Sequence, residues 1–152
     1  MRFALVFYLA GAGLCAAGGQ TVPQPSDDLA RLQAEPNLEK RARAALDNAE
    51  GALKEAREAY TNGDDTAMSA RLEEVGQSVE LALTSLKQTG KNPSRSPKHF
   101  KQAELRTRAL LRRLDGFRDE MSVVDRPLLD RIAAGVQKIH DALLDGIMGK
   151  RK

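Results

Sequence analysis

Four segments of similar length carry apolar residues at alternating spacings of three and four, which is the pattern of an amphipathic helix. They cover about 37–62, 65–89, 97–121 and 125–149. Two apolar positions per heptad let each helix bury one face against its neighbours. The pattern therefore predicts an all-α protein, an up-down-up-down antiparallel four-helix bundle.

The first stripe is built almost wholly from alanine, whereas the other three carry larger side chains. In chain order the stripes are Leu38, Ala42, Ala45, Ala49, Ala52, Ala56 and Ala59; Met68, Leu72, Val75, Val79, Ala82 and Leu86; Phe100, Ala103, Thr107, Leu110, Leu114, Phe117 and Met121; and Leu129, Ile132, Val136, Ile139 and Leu143. We expect the central core to consist of Leu72, Val79, Leu110, Leu114, Phe117, Ile132, Val136 and Ile139. No stripe position is ionisable, so we expect an apolar interior.

Turn and capping residues separate the stripes. Gly63 is placed to end the first helix, with Asp64 or Asp65 as the N-cap of the second. Ser96-Pro97 predicts a hydroxyl cap followed by a proline at the first helical position. Two of the three connections are very short, so consecutive helices are expected to run antiparallel.

The first nineteen residues have the character of a signal peptide. Arg2 precedes an apolar run over 3–17, which is too short to span a membrane, and small residues follow. Cys15 is the only cysteine, so cleavage would leave a mature chain without thiols. A lipid anchor at Cys15 is disfavoured, because Leu14 stands where such motifs have a small residue. We expect a periplasmic or secreted protein.

Residues 20–36 contain three prolines and little apolar pattern. We interpret them as a flexible N-terminal lead with one helical turn around 28–33. The remaining 37–152 form a single predicted domain, since composition does not change along it. With 4% aromatic residues and no tryptophan, the chain offers little that would favour a sheet.

Residues that carry chemistry are sparse. The sequence has no Glu-x-x-His motif for a carboxylate-bridged metal pair, no G-x-S-x-G motif and no phosphate loop. His140 lies beside the fourth stripe, where we expect it to bond to a neighbouring helix. The alternative is a small-ligand or heme carrier that uses the bundle interior near His140. We expect a non-enzymatic protein with no metal and no cofactor.

Charge is distributed unevenly. Residues 20–86 hold seven Lys/Arg against thirteen Asp/Glu, a net of −6, whereas residues 87–118 hold ten against two, a net of +8. One interpretation is intramolecular: the basic third helix packs against the acidic first pair. The other is an anion-binding site at one end of the bundle, made by Lys91, Arg95, Lys98 and Lys101.

The binding hypothesis implies an unknown protein or an anionic envelope component as partner, with peripheral membrane contact through lipid head groups as one form. Nucleic acid is not expected, because Phe100 and Phe117 are needed by the core and no stacking aromatics remain. The sequence leaves monomer and homodimer open. It predicts an exported interaction or scaffolding protein of the bacterial envelope.

Overall fold

The computed structural model describes residues 27–149; the predicted signal peptide, 1–19, and the first part of the lead lie outside this range. All secondary structure within 27–149 is helical, which confirms the all-α prediction. The helices are α1 Asp27–Ala34, α2 Leu38–Thr61, α3 Asp65–Gln88, α4 Lys98–Glu120 and α5 Arg126–Met148. The four long helices begin and end within one residue of the predicted bounds.

Local hydrogen bonds cap the starts of α2 and α3 and close the turn between these two helices. The side chain of Asn37 caps α2 by accepting from the backbone N–H of Lys40 at 2.9 Å, and Asp64 caps α3 by accepting from Ala67 at 2.9 Å. Gly63 has φ of 74°, which suits a residue without a Cβ. The Asp64 N–H donates to Ala59 O at 2.9 Å, so the end of one helix leads directly into the cap of the next.

The start of α4 differs from the prediction. Its N-cap is Pro97 rather than Ser96, and no side chain caps it. The predicted Ser96 hydroxyl cap is therefore wrong. Asn92 organises the loop instead: its carbonyl accepts from Ser96 N–H at 2.8 Å, and its side chain accepts from Ser94 N–H at 2.9 Å.

The lead is more ordered than we expected near its end. Two turns of helix form α1, and Leu29 on α1 is buried, with 3% exposed. The helix ends before Pro36, whose ring disfavours a helical residue ahead of it. Arg41 then donates from Nε to Glu35 O at 2.8 Å and ties the connection to α2. The expected single turn is thus a packed helix.

Packing pairs α2 with α3 and α4 with α5, and each pair is called a hairpin below. Glu39 contacts His99 near the starts of α2 and α4, and Arg57 pairs with Glu120 near their ends, so these two helices run parallel. Between the described residues α2 and α5 make no close contact, and α3 meets α4 only slightly. The 89–97 loop therefore crosses a diagonal between the hairpins.

An aromatic contact joins α2 to the far end of α4. The Tyr60 and Phe117 rings meet edge to face with centroids 5.7 Å apart. The Tyr60 hydroxyl accepts from the Ser122 N–H at 2.8 Å, which ties the start of the α4–α5 turn to α2. This contact and the Glu39 contacts hold the two ends of the interface between the hairpins.

The core lies along the predicted stripes with one exception. Seven of the eight residues expected at its centre are buried: Leu72, Val79, Leu110, Leu114, Phe117, Ile132 and Val136. Ile139 is only partly buried at the core edge, so that expectation was wrong. The next residue of α5, His140, contacts Thr107 of α4. At this level the inward side of α5 is therefore shared by Ile139 and His140.

None of the helices between 27 and 149 combines the length and the apolar character that a membrane-spanning segment needs.

Candidate functional site

The cations of α4 and of the loop before it differ in their partners. Arg108 pairs with Glu104 on α4 itself, and Arg118 pairs with Asp130 of α5. A first set faces α2. Arg106 donates from Nε and Nη2 to Glu50 Oε1 at 2.9 and 2.7 Å, and Nη2 lies 2.6 Å from Asp47 Oδ1. Burial acts to lower the pKa of Arg106, but the hydrogen bonds to Glu50 and Asp47 outweigh it and raise that pKa above its ordinary value. Arg113 adds a longer contact to Glu50 at 3.7 Å. These arginines hold α4 against the carboxylates of α2.

Glu39 on α2 contacts two basic side chains at the end of the molecule where α4 begins. Lys91 Nζ donates to Glu39 Oε1 at 2.6 Å, and His99 Nε2 lies 3.0 Å from Glu39 Oε2. The Lys91 hydrogen bond is the main reason that the pKa of Glu39 lies below its ordinary value, against a smaller opposing effect of burial; the charges of His99 and Lys98 act in the same direction as Lys91. Lys91, one of the predicted site residues, is therefore engaged within the molecule.

The second set points away from the protein. Arg95, Lys98 and Lys101 are exposed, and among the described residues none has a carboxylate within ion-pair distance. The same holds for Arg112, three turns further along α4. Three of the four predicted site residues thus remain available to a partner, and Arg112 joins them.

We call the solvent side of α4 the outer face and define it by Lys98, Lys101, Leu105 and Arg112. Spacings of three, four and seven residues place these side chains on one side of a helix. Leu105 is 58% exposed, although it is a large apolar side chain surrounded by cations. The sequence interpretation overlooked Leu105 and Arg112; the heptad spacing 98, 105 and 112 was the signal that could have found them.

A buried polar cluster within the α4–α5 hairpin was also missed. Glu104 is 5% exposed, accepts from Arg108 Nε at 3.0 Å, and lies 3.8 Å from His140 Nδ1. Thr107 Oγ1 approaches Ala103 O at 3.0 Å and His140 Nδ1 at 3.3 Å. Because the hydroxyl hydrogen is used toward the backbone, the second contact needs the His140 Nδ1–H as donor. His140 thus bonds to a neighbouring helix.

The α2–α3 hairpin buries a glutamate as well. Glu74 is 5% exposed and accepts from Asn48 Nδ2 at 2.8 Å and from Arg71 Nη1 at 2.6 Å. The same Asn48 amide lies 2.9 Å from Ser78 Oγ. The hydrogen bond from Arg71 to Glu74 is the leading cause that raises the pKa of Arg71. Glu74 lies next to Val75 and Glu104 next to Ala103, so each glutamate is one residue from an apolar stripe. The sequence interpretation considered only the stripe positions and therefore missed both.

The spaces around these clusters differ in size. Beside Glu39 and His99 there is a small, partly open space of about 10 Å³, which is close to the volume that one water molecule needs. Two open grooves are larger: one between α1 and α3, lined by Leu29 and Leu81, and one between the 89–97 loop and the end of α5. Neither is lined by His140. Across residues 27–149 no three His, Cys, Asp or Glu side chains converge in a way that could hold a metal ion.

The comparisons with known proteins gave no match: no protein-family model, no curated protein and no solved structure is significantly similar to this chain.

Proposed function

We propose that this protein is an exported, non-enzymatic four-helix bundle that docks on an anionic component of the bacterial envelope. Docking uses Arg95 and the outer face of α4. The observation that carries the proposal is the division of the cations on α4 and in the loop before it. Arg106 and Arg113 are paired with carboxylates of α2, whereas Arg95, Lys98, Lys101 and Arg112 are exposed and have no carboxylate partner among the described residues.

The position of these cations supports a binding role. Lys98 and Lys101 lie in the first turns of α4, where positive charge opposes the helix macrodipole. Lys91, His99 and Arg106 pair with carboxylates of α2. The exposed cations have no such ion pair, so contacts within the molecule do not explain why they are basic. The start of α4 also lacks a side-chain cap, so its first backbone N–H groups remain as donors for an anion. Both features stabilise the protein only when an anion is bound.

The heme-carrier alternative gains no support from the geometry. His140 is 12% exposed and already contacts Thr107, and the neighbouring core residues Leu110 and Val136 are almost fully buried. A heme would have to displace this packing. The absorbance spectrum of protein purified from its native host tests the alternative, because bound heme gives a strong Soret band.

Salt-dependent retention on an immobilised polyanion tests the docking proposal. The test variant changes Arg95, Lys98, Lys101 and Arg112 to Ser and keeps Lys91, which pairs with Glu39 inside the molecule. The control changes Arg31, Lys54, Arg131 and Lys138 to Ser, which removes the same charge elsewhere. We expect wild type and control to elute at similar salt and the test variant to elute much earlier, since each lost contact lowers the salt dependence. Equal elution of all three proteins would contradict the proposal. Circular dichroism checks that every variant stays helical.

A further inference from the structure

We propose that the anionic surface is a lipid bilayer, with Leu105 entering the boundary between head groups and acyl chains while Lys98, Lys101 and Arg112 bind head-group phosphates. This inference rests on the proposed docking function and names its partner. It departs from a purely electrostatic site because it assigns a role to an exposed apolar side chain.

The geometry of the outer face comes first. At 100° per residue, positions 98, 101, 105 and 112 fall within an arc of about 60°. They lie opposite the core-facing side of α4, where Leu110, Leu114 and Phe117 are at most 2% exposed. From 98 to 112 the helix rises about 21 Å. The face is therefore long and narrow, and its four side chains can meet a flat surface together.

The neighbouring helices leave this face uncovered. Contacts to α2 use the side of α4 with His99 and Arg106, and contacts to α5 use the side with Glu104 and Thr107. Ala109, which follows Leu105 on the outer face, is exposed and small. Over 98–112, no neighbouring helix in the described part of the chain covers this face, so it is open to a flat surface; Asp119, one heptad beyond Arg112, marks its acidic end.

The chemistry of Leu105 favours lipid over polysaccharide. A single exposed leucine is ordinary on a protein surface, so exposure alone carries no argument. Here cations without carboxylate partners lie four and seven residues before Leu105 and seven after it. The long stems of lysine and arginine reach past an inserted leucine to phosphates, as in helices that lie in the membrane interface. A hydrated polysaccharide offers no apolar phase for the leucine.

Sedimentation with vesicles tests the inference. The mature chain, without the predicted signal peptide 1–19, is mixed with phosphatidylglycerol/phosphatidylcholine vesicles, with phosphatidylcholine vesicles, and in parallel with immobilised dextran sulfate. We expect L105N to bind the anionic vesicles about tenfold more weakly than wild type, with retention on dextran sulfate unchanged. V124N is the control, because Val124 is 85% exposed in the turn at the other end of α4; it should bind like wild type. Changing Lys98, Lys101 and Arg112 together to Ser should weaken binding to both anionic surfaces.

The outcomes separate the two proposals. Equal vesicle binding by L105N and wild type would overturn the lipid assignment and leave docking electrostatic. Binding to dextran sulfate but not to anionic vesicles would assign the surface to polysaccharide and overturn it too. If wild type binds neither at low salt, the docking function itself fails.

A fluorescence measurement gives a second readout. The chain contains no tryptophan, so L105W introduces a single reporter. We expect its emission to shift to shorter wavelength with anionic vesicles and not with neutral ones, whereas V124W should not shift. Vesicle binding without any shift of L105W would place residue 105 in water and overturn insertion.

Discussion

The two hairpins use different means to pack a pair of helices. In α2–α3 the seam is made of alanine, with Ala45, Ala49 and Ala56 fully buried, and this is the most extensive helix–helix contact in the structure. In the α4–α5 hairpin, α4 instead carries large core side chains such as Leu114, which is fully buried. Small residues allow close approach along a whole helix, whereas large ones fill a wider space. The same two-per-heptad pattern thus gives two kinds of interface.

The buried polar clusters of the two hairpins also differ: one links two helices, whereas the other lies mainly within one helix. Asn48 and Glu74 bond directly from α2 to α3, so the cluster links two helices. In α4–α5 the main partner of Glu104 is Arg108 on the same helix, and the contact to His140 across the pair is 3.8 Å. Glu74 therefore contributes to holding its hairpin together, whereas Glu104 contributes mainly within its own helix.

The largest effect is expected from removing volume in α4–α5. Leu114 is fully buried, so L114A should lower the free energy of unfolding by about 2–5 kcal/mol through the cavity that it leaves. Urea unfolding followed by circular dichroism measures the change. A loss under about 1 kcal/mol would mean that the interface collapses around the cavity and is looser than its packing indicates.

Adding volume tests the alanine seam of α2–α3. A49L places a large side chain where the helices meet closely, and we expect a loss of about 1–3 kcal/mol from overpacking. A70L is the matched control, because Ala70 is exposed on α3 and leucine is a good helix former. Similar stability of both variants would show that the seam has room to spare.

Truncating the two buried glutamates compares the polar clusters. We expect E74A to cost about 1–3 kcal/mol, since it leaves the Asn48 amide without its carboxylate acceptor. Arg71 loses the same carboxylate but keeps its contact to Glu55 at 2.8 Å. E104A should cost less, because Arg108 is half exposed and can turn to water. Equal losses, or a larger one for E104A, would contradict the distinction drawn between the clusters.

The smallest effect concerns the contact between the hairpins at Glu39. Its pKa in the folded protein lies below the ordinary 4.5, so its stabilising contribution is present above that pH and is lost as the pH falls through the lower folded value. We expect thermal unfolding midpoints of wild type to fall slightly more than those of E39Q as the pH drops from 6 to 3. E80Q serves as the control, since Glu80 is exposed and pairs with no cation among the described residues. If the unfolding midpoints of wild type and E39Q fall in parallel as the pH drops, the Lys91–Glu39 contact does not stabilise the folded protein.

Local rules and periodicity accounted for the helices and for most of the core. The stripes predicted four long helices, and Asp64 and Gly63 act at the turn as capping chemistry requires. The errors occur where neighbours outweigh local preference. At Ser96, a hydrogen bond from its N–H to the Asn92 carbonyl takes the place of the expected hydroxyl cap. At Ile139, the adjacent His140 contacts α4, and Ile139 is only partly buried. In α1, where the sequence indicated one helical turn, Leu29 is buried and the helix extends to two turns.

What the sequence determined by itself is the set of helices and the excess of positive charge over 87–118, because both follow from residue order along the chain. Only the tertiary structure decided which cations meet carboxylates. Lys91 and Lys98 are equivalent in the sequence pattern, yet Lys91 reaches Glu39 and Lys98 remains at the surface. Whether a charge is paired depends on side chains that are distant in the chain and are brought within a few ångströms by packing, so no local pattern contains that information.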